Sequence, residues 1–217
     1  ALLEKTNLLF KQKRFTDVLA LEEALSKVPD NFEIKPAELI YGSAQALALS
    51  ALQKEDCQEM INFVEQYKLQ LSDMNNDAAL FKCFMRTSRF DRAHELSSTH
   101  LKDKALQSRY EWAQREVQVL FRLGKYKEAI DLKEDLKTLT FSLHQKIDLQ
   151  TIRDLFFSYM KLNNLDGAAS LAESIKLLYP NDTSAMDMYY EVVKVANESK
   201  NDLLLVKYAE LIISMQK

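Results

Sequence analysis

The chain has 217 residues, of which three are glycine and three are proline, against the roughly 12% that these two residues make up in average proteins. This scarcity excludes glycine-rich phosphate loops, all-β sandwiches and low-complexity linkers, and it predicts a mostly helical chain. The net charge of −3, from 29 Lys and Arg against 32 Asp and Glu, is too balanced to imply wholesale attraction to nucleic acid or anionic lipid.

Apolar residues recur at spacings of three and four along almost every segment, which is the period of a helix. Ile152, Leu155, Phe156 and Tyr159 are one example. Polar breaks divide the chain into about twelve short helices. In chain order these helices form six predicted hairpins, at about 1–28, 36–72, 75–101, 104–140, 143–179 and 182–217.

One kind of break recurs along the chain: a small or polar pair, then an apolar residue that opens the next helix. The apolar residue falls at positions 15, 57, 90, 126, 165 and about 202, in steps of 42, 33, 36, 39 and about 37 residues. Such a period is typical of a solenoid of helix–turn–helix units. Small residues such as Ala93, Ala129 and Ala168 let the second helix of a hairpin approach the first. The longest step includes the connection between Pro29 and Pro36, where we expect an irregularity or hinge.

At this period the chain resembles the tetratricopeptide (TPR) family. Segment 149–180 carries the resemblance most fully, with Ala168 and Ala172 on its second helix and Pro180 closing the unit. Most other copies lack the tryptophan-like, glycine and proline positions of the family. The resemblance implies an all-α fold, an α-solenoid of about six TPR-like helix–turn–helix hairpins forming one domain over 1–217. It also implies a non-enzymatic protein–protein interaction scaffold.

In TPR solenoids the first helix of each hairpin lines the concave face, so the resemblance also implies a groove. The positions that map onto this inner face are Lys82, Met85, Arg86, Gln114, Gln118, Phe121, Arg122, Arg153, Phe157, Met160, Lys161, Tyr190 and Lys194. Six of these thirteen residues are basic and none is acidic, although Glu111, Asp187 and Glu198 lie at the margins. The expected partner is therefore an acidic or amphipathic protein segment, or another TPR-like scaffold subunit, with Phe and Met as contact area and Arg for carboxylates.

The side chains that could support catalysis or cofactor binding do not form a known pattern. His94, His100 and His144 have no metal-ligand spacing, and with three glycines no nucleotide-binding loop is possible. The sequence therefore predicts no enzyme, no cofactor and no metal.

The two cysteines, Cys57 and Cys83, lie 26 residues apart and have no metal or redox motif. We expect two buried free thiols. Antiparallel neighbouring helices would nevertheless bring these positions close enough for a disulfide if the compartment is oxidising.

Neither a spanning helix nor a signal peptide is visible in the sequence. Because the chain starts at Ala1 inside an apolar periodic run, we expect it to be a fragment of a longer protein. The texture rich in Lys, Asn and Leu, as in residues 74–77 and 162–165, is similar to that of the periplasmic paralysed-flagellum scaffolds of polar-flagellate bacteria. That likeness implies a structural role in a flagellar motor and a periplasmic location; without it the expected location is cytoplasmic.

Two other functions remain open at the level of sequence. One is a regulatory TPR domain that senses a peptide or signal within a larger protein. The other is an RNA-binding helical repeat that uses residues 75–125, where 10 basic residues stand against 6 acidic ones. Nucleic acid is the less expected partner, because a scattered excess of this size is typical of solvated helix faces.

Overall fold

The computed structural model describes residues 1–29, 33–70, 76–200 and 202–215, and every regular element within them is a helix. The chain forms two compact units, Ala1–Arg89 and Phe90–Lys217. The first unit contains α1 (Leu2–Lys11), α2 (Phe15–Leu19), α3 (Glu22–Leu25), α4 (Pro36–Gln53), α5 (Cys57–Tyr67) and α6 (Asp77–Arg86). The second contains α7 (Phe90–His100), α8 (Leu106–Arg122), α9 (Tyr126–Leu143), α10 (Leu149–Lys161), α11 (Leu165–Leu178), α12 (Ser184–Glu198) and α13 (Asp202–Met215).

The same backbone turn recurs at the period that the sequence predicts. A residue with positive φ stands two positions before each repeated helix start, at Lys13, Glu55, Ser88, Gly124, Asn163 and Lys200. In five of these turns the next amide donates back to the carbonyl five residues earlier; Arg89 N to Phe84 O, at 2.8 Å, is one case. This closure satisfies carbonyls that the helix end would leave without a donor. The predicted fold class, an all-α solenoid of TPR-like hairpins, is confirmed.

Polar side chains replace glycine and proline at many helix starts. The side chains of Asp56, Asn76, Asp148 and Asn164 each accept a hydrogen bond from the backbone amide three residues later. Such N-caps are typically worth about 1 kcal/mol each. They explain how a chain with so few glycines and prolines makes tight turns.

Small residues allow the helices to pack closely, as predicted. Ala93, Ala129 and Ala168 are fully buried. In the second unit larger side chains fill the remaining space, and Phe156 and Tyr189 are almost completely buried within its continuous apolar core. In the first unit Val18 belongs to a smaller apolar cluster with Leu9 and Leu39.

The prediction of two free thiols is wrong, because Cys57 and Cys83 form a disulfide with their Cα atoms 4.9 Å apart. The bond joins the first residue of α5 to α6. The turn before α5 also contacts α6, since the Glu55 carboxylate accepts hydrogen bonds from Lys82 and Arg86. The disulfide and the ion pairs thus hold α6 against the α4–α5 hairpin.

The boundary between the compact units lies between Arg89 and Phe90, in the turn of the third predicted hairpin. The predicted hinge is elsewhere, in the connection before Pro36, which occupies the first turn of α4. Residues 30–32 of that connection lie outside the described residues, as do the predicted break positions 72–75 and 201. No helix in the described part of the chain is both long and apolar enough to span a bilayer.

Candidate protein-binding site

The residues of the predicted groove belong to both compact units. Lys82, Met85 and Arg86 lie on α6 of the first unit, and the others lie on α8, α10 and α12 of the second. One helix of the first unit and three helices of the second unit therefore carry predicted groove residues.

On α6 the predicted basic face is partly neutralised. Lys82 Nζ and Arg86 Nη1 each lie 3.0 Å from a Glu55 carboxylate oxygen, and hydrogen bonds from these two side chains lower the pKa of Glu55. All three side chains are about half exposed, so the pairs contribute little to stability. They nevertheless leave less free positive charge than the sequence predicts.

Two aromatic side chains on the predicted inner face of the second unit are open to solvent. Phe157 on α10 is 40% exposed and Tyr190 on α12 is 47% exposed. The Phe157 ring makes an edge-to-face contact with the buried Phe156 ring at 5.1 Å and a tilted contact with the Phe121 ring at 6.5 Å, measured between ring centroids. A supported but exposed aromatic ring is the kind of contact surface that protein interfaces favour.

Three basic side chains of this face, those of Arg122, Lys161 and Lys194, are exposed, and none has an ion-pair partner among the described residues. The Arg122 charge acts on Asp154, a buried residue of α10. Burial raises the pKa of Asp154 to about 6, while the hydrogen bond from Gln150 and the Arg122 charge act in the opposite direction.

A cavity of about 510 Å³ lies between α10 and α12. Its lining residues are Arg153, Phe157, Ser184, Asp187, Met188 and Glu191. The Arg153 guanidinium donates a hydrogen bond to Ser184 Oγ, which ties Arg153 to the first residue of α12. The cavity therefore contains two predicted groove residues, Arg153 and Phe157, together with two carboxylates.

The sequence predicts Asp187 only at the margin of the face, and Glu191 is not among the predicted residues. Their spacing of four residues could have shown that they share one side of α12. The observed face consequently carries charges of both signs rather than basic groups alone.

The remaining predicted residues contribute packing more than contact surface. Gln114 is buried, and its side-chain carbonyl accepts a hydrogen bond from the Asp148 amide at 2.7 Å. Met85, Gln118 and Met160 are partly buried.

A buried polar cluster that the sequence did not predict lies between α7 and α8. Glu116 is 3% exposed, accepts a hydrogen bond from Ser97 Oγ at 2.5 Å, and has one carboxylate oxygen 2.8 Å from His94 Nδ1. No group of three or more metal-ligating side chains is close together in the described ranges. The cluster connects two helices of the second unit.

Known proteins resemble the chain in fold. The family model of subunit 3 of the anaphase-promoting complex (cyclosome) matches residues 41–136. The solved structure of MamA MSR-1 C2 shares 13% identity with a TM-score of 0.54, over 81% of this chain and 96% of that one. MamA RS-1 ArsTM double mutant shares 12% identity with a TM-score of 0.53, over 81% and 94%.

A third similar structure is that of a Podosopora anserina putative kinesin light chain with nearly identical TPR-like repeats. It shares 16% identity with a TM-score of 0.50, over 85% of this chain and 97% of that one. No curated protein matches the sequence. These names include no flagellar protein, so the flagellar role stays a prediction. The recurring turn, the hairpin packing and these likenesses together identify the fold of this chain as a TPR-like helical repeat.

Proposed function

We propose that this chain is a non-enzymatic scaffold that binds a segment of a partner protein on the inner face of α8, α10 and α12. The observation that carries the proposal is the exposed Phe157 ring, supported by Phe121 and Phe156 and placed beside the cavity between α10 and α12. TPR-like repeats suit this role, because stacked hairpins expose an extended surface that needs no catalytic groups.

The chemistry of the face favours an amphipathic segment. Phe157 and Tyr190 offer apolar contact area, and most of the binding energy of an interface comes from a few such anchors. Arg122, Lys161 and Lys194 offer cations to carboxylates of the partner. A segment with apolar side chains on one side and charged groups at its edges would meet both requirements.

The aromatic part of the proposal is tested with two matched phenylalanine substitutions in the full-length protein. Phe141 on α9 is 82% exposed and lies outside the predicted face, so Phe141→Ala serves as the control for Phe157→Ala. Affinity capture from the native source, read by mass spectrometry, should show a protein retained by the parent and Phe141→Ala but lost with Phe157→Ala. Identical captured proteins for all three would refute the proposed face.

The charged part is tested with two lysines. Lys161→Glu reverses a charge on the face, and Lys176→Glu makes the same change at an exposed position of the second helix α11. We expect the first substitution to weaken capture of the same partner and the second to leave it unchanged. If both substitutions weaken capture equally, Lys161 acts only through the overall charge of the protein and not through a contact with the partner.

The compartment proposed for this scaffold is an oxidising one. The Cys57–Cys83 disulfide supports it, since disulfides persist in secreted, periplasmic or lumenal proteins and are rare in reducing cytosol. Alkylation of thiols during lysis of the native source should leave both cysteines unmodified. Full alkylation of both before any reductant is added would place the protein in a reducing compartment.

A further inference from the structure

The cavity between α10 and α12 has an apolar surface, one basic residue and two acidic residues in its lining. Phe157 and Met188 supply the apolar part of its lining, and Met188 is itself buried while Phe157 is open to solvent. Its volume of about 510 Å³ falls within the range of small ligand sites and is ample for one long side chain.

The positive charge in this cavity lies at the start of α12. Arg153 donates a hydrogen bond to the neutral Ser184 Oγ. Its charge also helps to lower the pKa of Asp182, which accepts a hydrogen bond from the Ser184 amide.

The negative charges in the cavity lie further along α12. Asp187 and Glu191 are exposed, one helical turn apart on α12, and neither forms an ion pair with any described residue. An incoming carboxylate would meet two like charges and one opposite charge, whereas a cation would meet two opposite charges and one like charge. With Arg153 counted, the cavity lining therefore carries a net formal charge of −1, in contrast to the basic residues elsewhere on the face.

We propose that this cavity receives a lysine or arginine side chain of the partner, with its aliphatic stem on Phe157 and Met188 and its charged head at Asp187 and Glu191. Lysine and arginine are the side chains that present a long apolar stem and a terminal cation together. The exposed face of the Phe157 ring can add a cation–π attraction, and the carboxylates can accept charge-assisted hydrogen bonds.

This inference rests on the proposed function, because it assigns one position within the segment that the inner face binds. It also changes the expected character of that segment. An exclusively acidic segment would leave Asp187 and Glu191 opposed by like charge. A segment with one basic residue at this position, and acidic or neutral residues toward Lys161 and Lys194, complements the whole face.

The test uses two defined peptides, acetyl-Leu-Lys-Leu-amide and acetyl-Leu-Glu-Leu-amide, titrated into the full chain with ¹³C-labelled methionine methyl groups. Met188 reports on the cavity and Met160 on the neighbouring part of α10. We expect the lysine peptide to shift the Met188 methyl resonance at a concentration at least about tenfold lower than the glutamate peptide, because Asp187 and Glu191 attract the ammonium group and repel the carboxylate.

The matched variants remove two carboxylates each. Asp187→Asn with Glu191→Gln should erase the preference for lysine, while Asp131→Asn with Asp135→Asn, an exposed pair at the same spacing on α9, should retain it. Equal responses to the two peptides, or a preference that survives loss of Asp187 and Glu191, would overturn the inference. Absence of any Met188 shift with the lysine peptide would overturn it as well.

Failure of this inference and failure of the proposed function give different results. If the Phe157-dependent capture succeeds but the peptides are not distinguished, the inner face binds its partner without a cation in the cavity. If capture does not depend on Phe157, the proposed face itself is wrong whatever the peptides do.

Discussion

Tyr159 of α10 packs directly against the backbone of Gly167 in the first turn of α11. A Cβ atom at position 167 would lie only 2.4 Å from Cδ1 of the Tyr159 ring, well inside van der Waals contact. The ring is partly buried and also has the Lys133 ammonium 5.2 Å from its centroid. The two helices can approach this closely because Gly167 has no side chain.

We expect Gly167→Ala to destabilise the protein. Displacing the packed ring should cost about 1–3 kcal/mol, which outweighs the gain of up to roughly 1 kcal/mol in helix propensity. Urea unfolding measures the difference, and Ser170→Ala, at an exposed position of the same helix, should change stability by less than about 0.5 kcal/mol. A Gly167→Ala variant as stable as the parent would show that the ring moves without cost.

The recurring turn leads to a second prediction, at Gly124. Its φ of 73° lies in the left-handed region, and a Cβ there would meet only the Tyr126 hydroxyl at 4.0 Å, an ordinary contact, so backbone strain is what opposes a side chain. Gly124→Ala should therefore cost about 1 kcal/mol. Ser88 has φ of 58° at the equivalent place, and Ser88→Gly should not lower stability by a comparable amount. Thermal unfolding measures the stability of both variants. An equal loss of stability in Gly124→Ala and Ser88→Gly would show that backbone strain is not the cause.

These turns also explain why the repeat could be predicted from the sequence. Each depends on residues that are neighbours in the chain: a left-handed residue such as Asn163, a cap such as Asn164, and an apolar residue such as Leu165 that starts the next helix. Local geometry of this kind leaves a periodic trace in the sequence even where glycine is replaced.

Contacts between distant residues leave a weaker trace in the sequence. The pairing of Cys57 with Cys83 depends on how α5 meets α6, and the ion pairs of Lys82 and Arg86 involve Glu55, which lies on a turn rather than on a helix face. The assignment of faces to the first helices could therefore include Phe157 among the predicted groove residues. It could not show which basic residues are neutralised within the fold.

Buried Asp154 leads to a pH-dependent prediction. Its pKa in the folded protein is about 6, above the ordinary value of 3.8, chiefly because it is buried. The folded state therefore holds this proton more tightly than the unfolded state does, and the stabilisation is complete below pH 3.8 and lost as pH rises through about 6.

Asp154→Asn keeps an oxygen that can accept from Gln150 and removes the buried charge. At pH 7.5 the variant should be more stable than the parent by roughly 1–3 kcal/mol, and the advantage should shrink at pH 4. Urea unfolding at both pH values gives the difference in free energy of unfolding between the variant and the parent. The other carboxylates titrate equally in both proteins, so their contribution cancels in this difference. An advantage that is the same at both pH values would rule out this cause.

The Cys57–Cys83 bond should stabilise the first unit. It closes a loop with a sequence separation of 26, for which restriction of the unfolded chain is worth about 2–4 kcal/mol. Reductant should therefore lower the urea midpoint of the parent and should not affect a Cys57→Ser, Cys83→Ser double variant. A parent whose unfolding is insensitive to complete reduction, verified by thiol titration, would contradict this stabilising role.

The carboxylate of Glu116 is the strongest candidate for a polar group that holds two helices of the second unit together. It is 3% exposed, accepts a hydrogen bond from Ser97 and lies 2.8 Å from His94 Nδ1, both on α7, so its removal takes away one acceptor of Ser97 and leaves a gap in the buried cluster. We expect Glu116→Ala to cost about 2–4 kcal/mol. Glu111→Ala on the same helix removes an ion pair with Arg115 and an exposed hydrogen bond from Gln107, and it should cost less than about 1 kcal/mol.

A double-mutant cycle separates the interaction of Glu116 with His94 from the loss of packing. His94→Ala and Glu116→Ala should each be destabilising, and the double variant should be less destabilised than the sum of the two, because the second change removes a group that the first has already left unpaired. Chemical unfolding supplies all four free energies. Strict additivity would mean that the short distance between Glu116 and His94 contributes nothing to stability, and that Ser97 alone satisfies the buried carboxylate.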